Sequence, residues 1–154
     1  MIIGVIGCSD CERKYLELAE SVGEKIAASG SILLCGGLSG VMESACIGAK
    51  KKNGVTVGIL PGNDKSEANK YVDIAIVTGM GTARNNIIAR TADVLIAIDG
   101  GYGTLSEIAT ALNIGKHVIC LFSWDLAKIG KVENYHYVST PEEAVKLALE
   151  IAKG

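Results

Sequence analysis

The sequence contains little proline and few of the larger aromatic residues. Among 154 residues there are two prolines, one tryptophan and one phenylalanine. Glycine, by contrast, occurs 19 times, well above the usual ~7% of residues. Many glycines with few prolines predict tight turns between regular elements and not flexible linkers. Because no linker or low-complexity tract interrupts the chain, its length predicts one domain over residues 1–154.

The chain also lacks a surplus of either charge. Its 15 lysines and arginines against 17 aspartates and glutamates leave a net charge of −2, so it offers no broad basic surface for nucleic acid. No apolar run reaches the ~18 residues of a membrane helix. Met1 leads straight into the apolar Ile2–Gly7 run without the basic segment of a secretion signal. We therefore expect binding to neither nucleic acid nor membrane.

The cysteines do not form the pattern of a secreted disulfide framework. They are five, an odd number, and mostly flanked by apolar residues, whereas such frameworks are even and rich in loops. We therefore expect a reducing, cytoplasmic setting. The pair Cys8 and Cys11 has the C-x-x-C spacing of a redox pair or of half a zinc site, with Cys35 the nearest further sulfur. A structural role is the favoured interpretation, and we expect no metal site.

Short apolar runs alternate with segments of helical periodicity along the whole sequence. The last helix is predicted to start at Thr140-Pro141-Glu142-Glu143, with proline at N1 and glutamate at N3. Strands that are apolar throughout predict a parallel sheet covered on both faces. The fold class is therefore α/β, a doubly wound, Rossmann-like three-layer α/β/α sandwich. The predicted strands are Ile2–Cys8, Ile32–Leu34, Val55–Leu60, Ile74–Val77, Val94–Ile98, His117–Phe122 and an edge strand at Tyr135–Val138.

Turns of small or polar residues follow three of these strands, at Gly7–Ser9, Gly36–Gly40 and Gly100–Thr104. Ligands of open parallel sheets bind beyond the carboxyl ends of the strands. The turns Gly36–Gly40 and Gly100–Thr104 each precede a helix, where free N–H groups and the helix dipole favour a phosphate. Neither turn has the G-x-G-x-x-G or P-loop pattern, which disfavours a classical NAD or ATP site. Ordinary βα turns without a ligand remain the alternative.

Two charged residues lie close to these turns. The spacing of Thr104 and Glu107 is that of a capping box, but it also places the carboxylate one turn inside a helix that begins at the candidate anion site. Arg84 follows the fourth strand, where a guanidinium could grip phosphate bidentately or pair with a surface carboxylate. The spacing alone leaves both alternatives open for both residues.

Three motifs together resemble those of one Rossmann-like superfamily. They are Gly36-Gly37 with Gly40-Val41-Met42, Gly81-Thr82-Ala83-Arg84-Asn85, and Gly100-Gly101-Tyr102-Gly103-Thr104-Leu105-Ser106-Glu107. The superfamily includes the LOG (Lonely Guy) phosphoribohydrolases, long misnamed lysine decarboxylases, and the molybdenum cofactor carrier proteins. The resemblance runs from Ile2 to about Phe122.

The resemblance implies two different functions. LOG enzymes cleave the N-glycosidic bond of nucleoside 5′-monophosphates, which implies Arg84 and Glu107 as catalytic residues and no required cofactor or metal. The carrier branch implies a phosphate-bearing pterin, the molybdenum cofactor, as a bound ligand without hydrolysis. Asp99 replaces the LOG proline and Asn85 the LOG lysine, which brings the sequence closer to the carrier branch. A structural oligomer with an empty pocket is a third alternative.

The turns and the resemblance together define the remaining expectations. A small phosphorylated ligand is the expected partner. Related proteins are dimers or larger, and the helix with Ile87, Ile88 and Ala92 is predicted to form a subunit face of a homo-oligomer. The candidate ligand-binding residues are Gly7, Ser9, Gly36, Gly37, Gly81, Thr82, Asn85, Gly100, Gly101, Gly103 and Thr104.

Overall fold

A seven-stranded sheet, parallel throughout, forms the centre of the protein. The computed structural model describes residues 1–153. The strand order is β4-β3-β2-β1-β5-β6-β7, and every neighbouring pair is parallel, so the predicted fold class is confirmed. The strands are β1 (Ile2–Gly7), β2 (Ile32–Cys35), β3 (Thr56–Leu60), β4 (Ile74–Val77), β5 (Val94–Ile98), β6 (His117–Leu121) and β7 (Tyr135–Val138).

Five helices connect and cover the strands. Short 3-10 helices at Lys65–Glu67, Gly81–Arg84 and Leu126–Ile129 occupy the connections after β3, β4 and β6. In the described part of the chain no helix is both long and apolar enough to cross a membrane. The helices are α1 (Arg13–Ala28), α2 (Val41–Lys50), α3 (Asn85–Thr91), α4 (Tyr102–Asn113) and α5 (Pro141–Ile151).

The two faces of the sheet have separate hydrophobic cores. On one face Leu33 and Ile96 pack with α1, α2 and α5. On the other face Ile6 and Leu95 pack with α3 and α4. Because successive strand residues point to opposite faces, the uninterrupted apolar strands supply both cores at once. This is the reason that the apolar runs predicted a buried parallel sheet.

One expectation about the surface is wrong. The sequence predicts a subunit face with Ile87, Ile88 and Ala92, but Ile88 and Ala92 are fully buried in the core between α3, α4 and the sheet, and Ile87 packs partly buried against it. The apolar face of α3 turns inward, and Ala92 directly follows the helix. Exposed apolar side chains occur instead on the edge strand β4, where Ile74 is 51% and Ile76 44% exposed.

The strand order fixes where a ligand can bind. The chain moves outward from β1 to β4 and then returns to place β5 on the other side of β1. Beyond β1 and β5 the connections therefore diverge in opposite directions and leave a crevice at the carboxyl ends of these two strands. The glycine-rich turns all open towards this edge.

Candidate functional site

A cavity of about 480 Å³ opens at the carboxyl ends of β1, β2 and β5. Its walls come from segments that follow β1, β2, β3, β4 and β5. Its lining contains one arginine and one acidic residue, Arg84 and Glu107, which lie next to each other. The predicted ligand-binding residues that line the cavity are Gly7, Ser9, Gly36, Gly81, Thr82, Asn85, Gly101, Gly103 and Thr104.

Arg84 and Glu107 meet at the floor of this cavity. Arg84 ends the 3-10 helix that leads into α3, and Glu107 lies in the second turn of α4. The side chains are 8% and 6% exposed as residues, and 3.9 Å separates Arg84 Nη1 from Glu107 Oε1. At that distance the two groups do not share a hydrogen bond. The packing of α3 against α4 therefore places a guanidinium and a carboxyl group side by side in the cavity.

Only some of the hydrogen-bond donors of the Arg84 guanidinium have partners within the protein. Its Nη2 donates to the Gly36 carbonyl at 3.4 Å, and its Nη1 donates to the Asn85 side chain. Its Nε is buried without a hydrogen-bond partner, the one such side-chain atom among residues 1–153. A buried donor without a partner is destabilising, so the position of Arg84 beside the cavity carries a cost in stability.

Burial dominates the electrostatics of the pair. It raises the pKa of Glu107 from 4.5 to about 8, because the Arg84 charge offsets the loss of solvent only in part. Burial also lowers the pKa of Arg84, against the attraction of Glu107. At neutral pH the floor of the cavity therefore carries the arginine charge while Glu107 is largely protonated, which favours an anion.

The capping-box alternative for Thr104 and Glu107 is wrong. Helix α4 begins at Tyr102 with Gly101 as its N-cap and has no side-chain cap, so Thr104 already lies inside the first turn. At α5 the same spacing does form a capping box, in which Thr140 and Glu143 satisfy each other's backbone N–H groups. Glu107 instead extends into the cavity lining, next to Arg84.

The N-terminus of α4 faces the cavity without an acidic side chain in its first turn. Leu105 is the first residue whose N–H bonds back within the turn, to the Gly101 carbonyl at 3.0 Å. The N–H groups before it have no helical partner, and Gly101, Gly103 and Thr104 line the cavity there. A Cβ at Gly101 would meet no atom within 4 Å, so nothing in the protein crowds this turn.

Two of the predicted glycines do not reach the cavity. Gly37 is buried against Leu60 and β3, and Gly100 lies under the Thr104 side chain with φ +111. Their role is to shape the turns, since Gly100 has a backbone conformation that other residues rarely adopt. Gly36 does line the cavity, and a Cβ there would be 2.6 Å from Arg84 Nη2. The absence of a side chain at position 36 therefore leaves room for the Arg84 guanidinium.

A segment not predicted as part of the site supports the α4 turn. Trp124 Nε1 donates to the Gly101 carbonyl at 3.2 Å, and Ser123 donates to the Asp99 carbonyl. Both residues follow β6, the neighbour of β5, and their position just after a strand is the signal that could have indicated them. Leu38, Met42 and Pro61, which line the cavity, were also not assigned to the site.

The cysteine pair lies beside the cavity and not with Cys35. Cys8 and Cys11 form a disulfide, and Asp99 lies next to them, with one ligand atom from each of the three residues within 4.8 Å of the others. Cys35, the further sulfur that the sequence suggested, is not part of this group and packs against Cys46 with 3.7 Å between the sulfurs. Cys35, Cys46 and Cys120 are free and buried.

Comparison with solved structures finds close similarity to proteins that bind the molybdenum cofactor. The chain is 44% identical to the molybdenum cofactor binding protein of the phototrophic bacterium Rippkaea orientalis, covering 97% of this chain and 96% of that one, with a TM-score of 0.91. It is 39% identical to the molybdenum cofactor carrier protein of Chlamydomonas reinhardtii, covering 99% of each chain, also with a TM-score of 0.91.

Similarity to phosphoribohydrolases is more distant. The cytokinin riboside 5′-monophosphate phosphoribohydrolase of Mycobacterium marinum is 32% identical over 123 residues, which are 72% of this chain and 64% of that protein. The chain thus spans less than two thirds of the length of that enzyme. The SLOG cluster4 family model matches residues 1–146, and this chain belongs to that family.

Proposed function

We propose that the protein binds and carries a phosphorylated pterin of the molybdenum cofactor type, in the cavity between β1 and β5. The observation that carries this proposal is the convergence of two anion-binding groups on one cavity: the uncapped N-terminus of α4 and the buried Arg84. The similarity over the full length to proteins that bind the molybdenum cofactor supports the choice of a pterin.

The residues present fit such a ligand in two ways. The N–H groups of Gly103 and Thr104 suit the phosphate, and the positive charge of Arg84 in the cavity lining attracts a further anionic oxygen. Leu38, Met42 and Pro61 add apolar surface on the opposite wall, which suits a flat heterocycle. Most small-molecule sites combine these features, a largely apolar wall with a few placed polar groups.

The proposal is tested on protein purified from cells supplied with molybdate. Native mass spectrometry and molybdenum analysis measure the ligand that copurifies, and oxidation of the denatured sample to a fluorescent pterin identifies its class. Gly101→Val is the matched variant, because Gly101 lines the cavity and a Cβ at this position would meet no protein atom within 4 Å. We expect pterin in the wild type and little in the variant. Equal and negligible amounts in both would overturn the proposal.

Hydrolysis of nucleoside 5′-monophosphates is the second candidate function. It is favoured by the placement of Glu107 and Arg84 in one cavity, where a carboxylate could activate water or stabilise an oxocarbenium-like state. The turn before Gly100 argues against it, because Asp99 has φ +49, which the proline of the LOG motif cannot adopt. Chromatography for free base after incubation with a panel of monophosphates tests this function, with Glu107→Gln as the inactive control.

The pKa of Glu107 separates the two functions. A phosphate monoester is largely dianionic above about pH 7, so between pH 7 and 9 the main change in the cavity is ionisation of Glu107. If the protein is a carrier, phosphate-ester binding weakens through about pH 8, since the new carboxylate repels the ligand. If it is a hydrolase using the carboxylate, turnover rises over the same interval. Isothermal titration and base release measured on the same samples distinguish these results.

A homo-oligomer remains part of the proposal, but through a different surface. The face of β4 that carries Ile74 and Ile76 continues the face of β3 that carries Val57 and Ile59, while α3 and α4 pack over β1 and the strands beyond it. Parallel sheets are normally covered on both faces. The surface formed by Val57, Ile59, Ile74 and Ile76 contains no charged side chain, so two identical copies can meet there without like-charge repulsion. We expect this strand to lie in the subunit interface.

A further inference from the structure

The group formed by Cys8, Cys11 and Asp99 has no part in the proposed function. Residue Gly7 of β1 pairs with Ile98 of β5, so Cys8 and Asp99 are the next residues of two neighbouring strands. The C-x-x-C spacing then returns Cys11 to the same point at the start of α1. The register of the central strands thus brings two sulfurs and a carboxylate together, with one ligand atom from each within 4.8 Å of the others.

The carboxylate of Asp99 has no partner that explains its place. Among residues 1–153 it forms no ion pair with a lysine, arginine or histidine. Its backbone is fixed by the Ser123 hydroxyl, which donates to the Asp99 carbonyl. Asp99 also has φ +49, a left-handed conformation that aspartate adopts more readily than most residues other than glycine. Together with the two sulfurs, its unpaired carboxylate offers donor atoms that suit a thiophilic cation.

We propose that the reduced pair Cys8 and Cys11, together with Asp99, binds a thiophilic divalent cation, with Zn²⁺ as the best match. Two thiolates and one carboxylate oxygen are ligands that Zn²⁺ accepts at ~2.3 and ~2.1 Å. Tetrahedral coordination at those lengths separates neighbouring ligand atoms by roughly 3.3 to 3.8 Å. The Cα atoms of Cys8 and Cys11 are 5.8 Å apart, and the disulfide must be broken before the sulfurs can take up that separation.

The disulfide and the metal site exclude each other, because they use the same two sulfurs. Reduction breaks the S–S bond with two electrons and two protons, supplied by a thiol reductant that is itself oxidised to a disulfide. Binding of Zn²⁺ then displaces the two thiol protons. Because Cys8 also lines the ligand cavity, the fourth coordination position is next to that cavity and open to water.

The experiment uses the full chain, reduced under anaerobic conditions and confirmed by titration of all five thiols. Zn²⁺ affinity is measured by competition with a chromogenic chelator, and Co²⁺ reports thiolate ligation through its charge-transfer absorption. We expect one Zn²⁺ per chain in the reduced protein and none at this site in the oxidised protein. Loss of a ligand in Cys11→Ser or Asp99→Asn should weaken binding by about 10- to 100-fold or more.

Asp10→Asn is the matched control, because Asp10 lies between the two cysteines in sequence and is exposed, but it is not part of the group. Binding that survives Asp10→Asn and fails in the two ligand variants supports the site. Absence of stoichiometric Zn²⁺ from the fully reduced protein overturns it, and so does equal affinity in Cys11→Ser. None of these readings depends on a pterin or a nucleotide, so failure of the metal site and failure of the proposed function are separate results.

Discussion

Replacing Glu107 with glutamine removes a buried ionisable group whose pKa lies far from its usual range. The folded-state pKa of about 8 stands above the ordinary value of 4.5, because burial disfavours the charge more than Arg84 favours it. The unfolded chain therefore releases this proton at lower pH than the folded chain does. The neutral form contributes stability that is complete below pH 4.5 and is lost as the pH rises through about 8.

The size of the effect follows from the difference between the two pKa values. Between them, stability falls by about 1.4 kcal/mol for each pH unit, or roughly 4 kcal/mol from pH 5 to pH 8. In a domain of this size that is a change in Tm of roughly 10 °C. Glutamine has nearly the same shape and no charge, so Glu107→Gln should lack this component and become relatively more stable as the pH rises.

Thermal unfolding of both proteins at several pH values tests this reasoning. The difference in Tm between Glu107→Gln and the wild type should be small near pH 5 and should widen steadily up to pH 8. The difference between two variants cancels the titration of the other groups. Glu133→Gln, at an exposed position, is the control and should run parallel to the wild type. If the Tm of Glu107→Gln runs parallel to that of the wild type at all pH values, Glu107 is not a buried neutral carboxyl, and the anion preference argued from it does not follow.

Three further predictions concern the turn, the arginine and the edge strand. Gly101→Val should keep the wild-type Tm within about 2 °C, since its Cβ meets no other atom. Its affinity for a phosphate ester, measured by isothermal titration, should fall at least tenfold. Unchanged affinity would show that the phosphate does not bind at this turn. Arg84→Lys should also lose binding, because an ammonium cannot copy the guanidinium fork, and wild-type affinity would limit Arg84 to a structural role. Light scattering should give a mass of at least twice 16.0 kDa for the wild type and a lower mass for Ile76→Glu. Ile129→Glu, at an exposed site away from β4, should leave the mass unchanged. A monomeric wild type would contradict the proposed interface.

Local patterns were sufficient for the order of elements. All seven strands lie at the predicted apolar runs, with ends that differ by at most one residue. For the central strands this follows because a strand buried on both faces must be apolar throughout, whereas the edge strand β4 is largely exposed. The capping box at Thr140 and Glu143 was predictable for a similar reason, since both of its bonds form within one turn of the chain. Glycine turns at the strand ends indicated the edge of the sheet that carries the cavity.

The sequence by itself could not decide which side of an amphipathic element meets another element. The same Thr-x-x-Glu spacing caps α5 but places Glu107 beside Arg84 in α4, because the start of α4 is set by the turn at Gly101. Ile88 lies against the sheet and not on a subunit face, since α3 packs on β1 with that side. Asp99 meets Cys8 and Cys11 only through the register of β5 on β1. Contacts between residues far apart in sequence depend on strand order and helix packing, and these were decided by the tertiary structure.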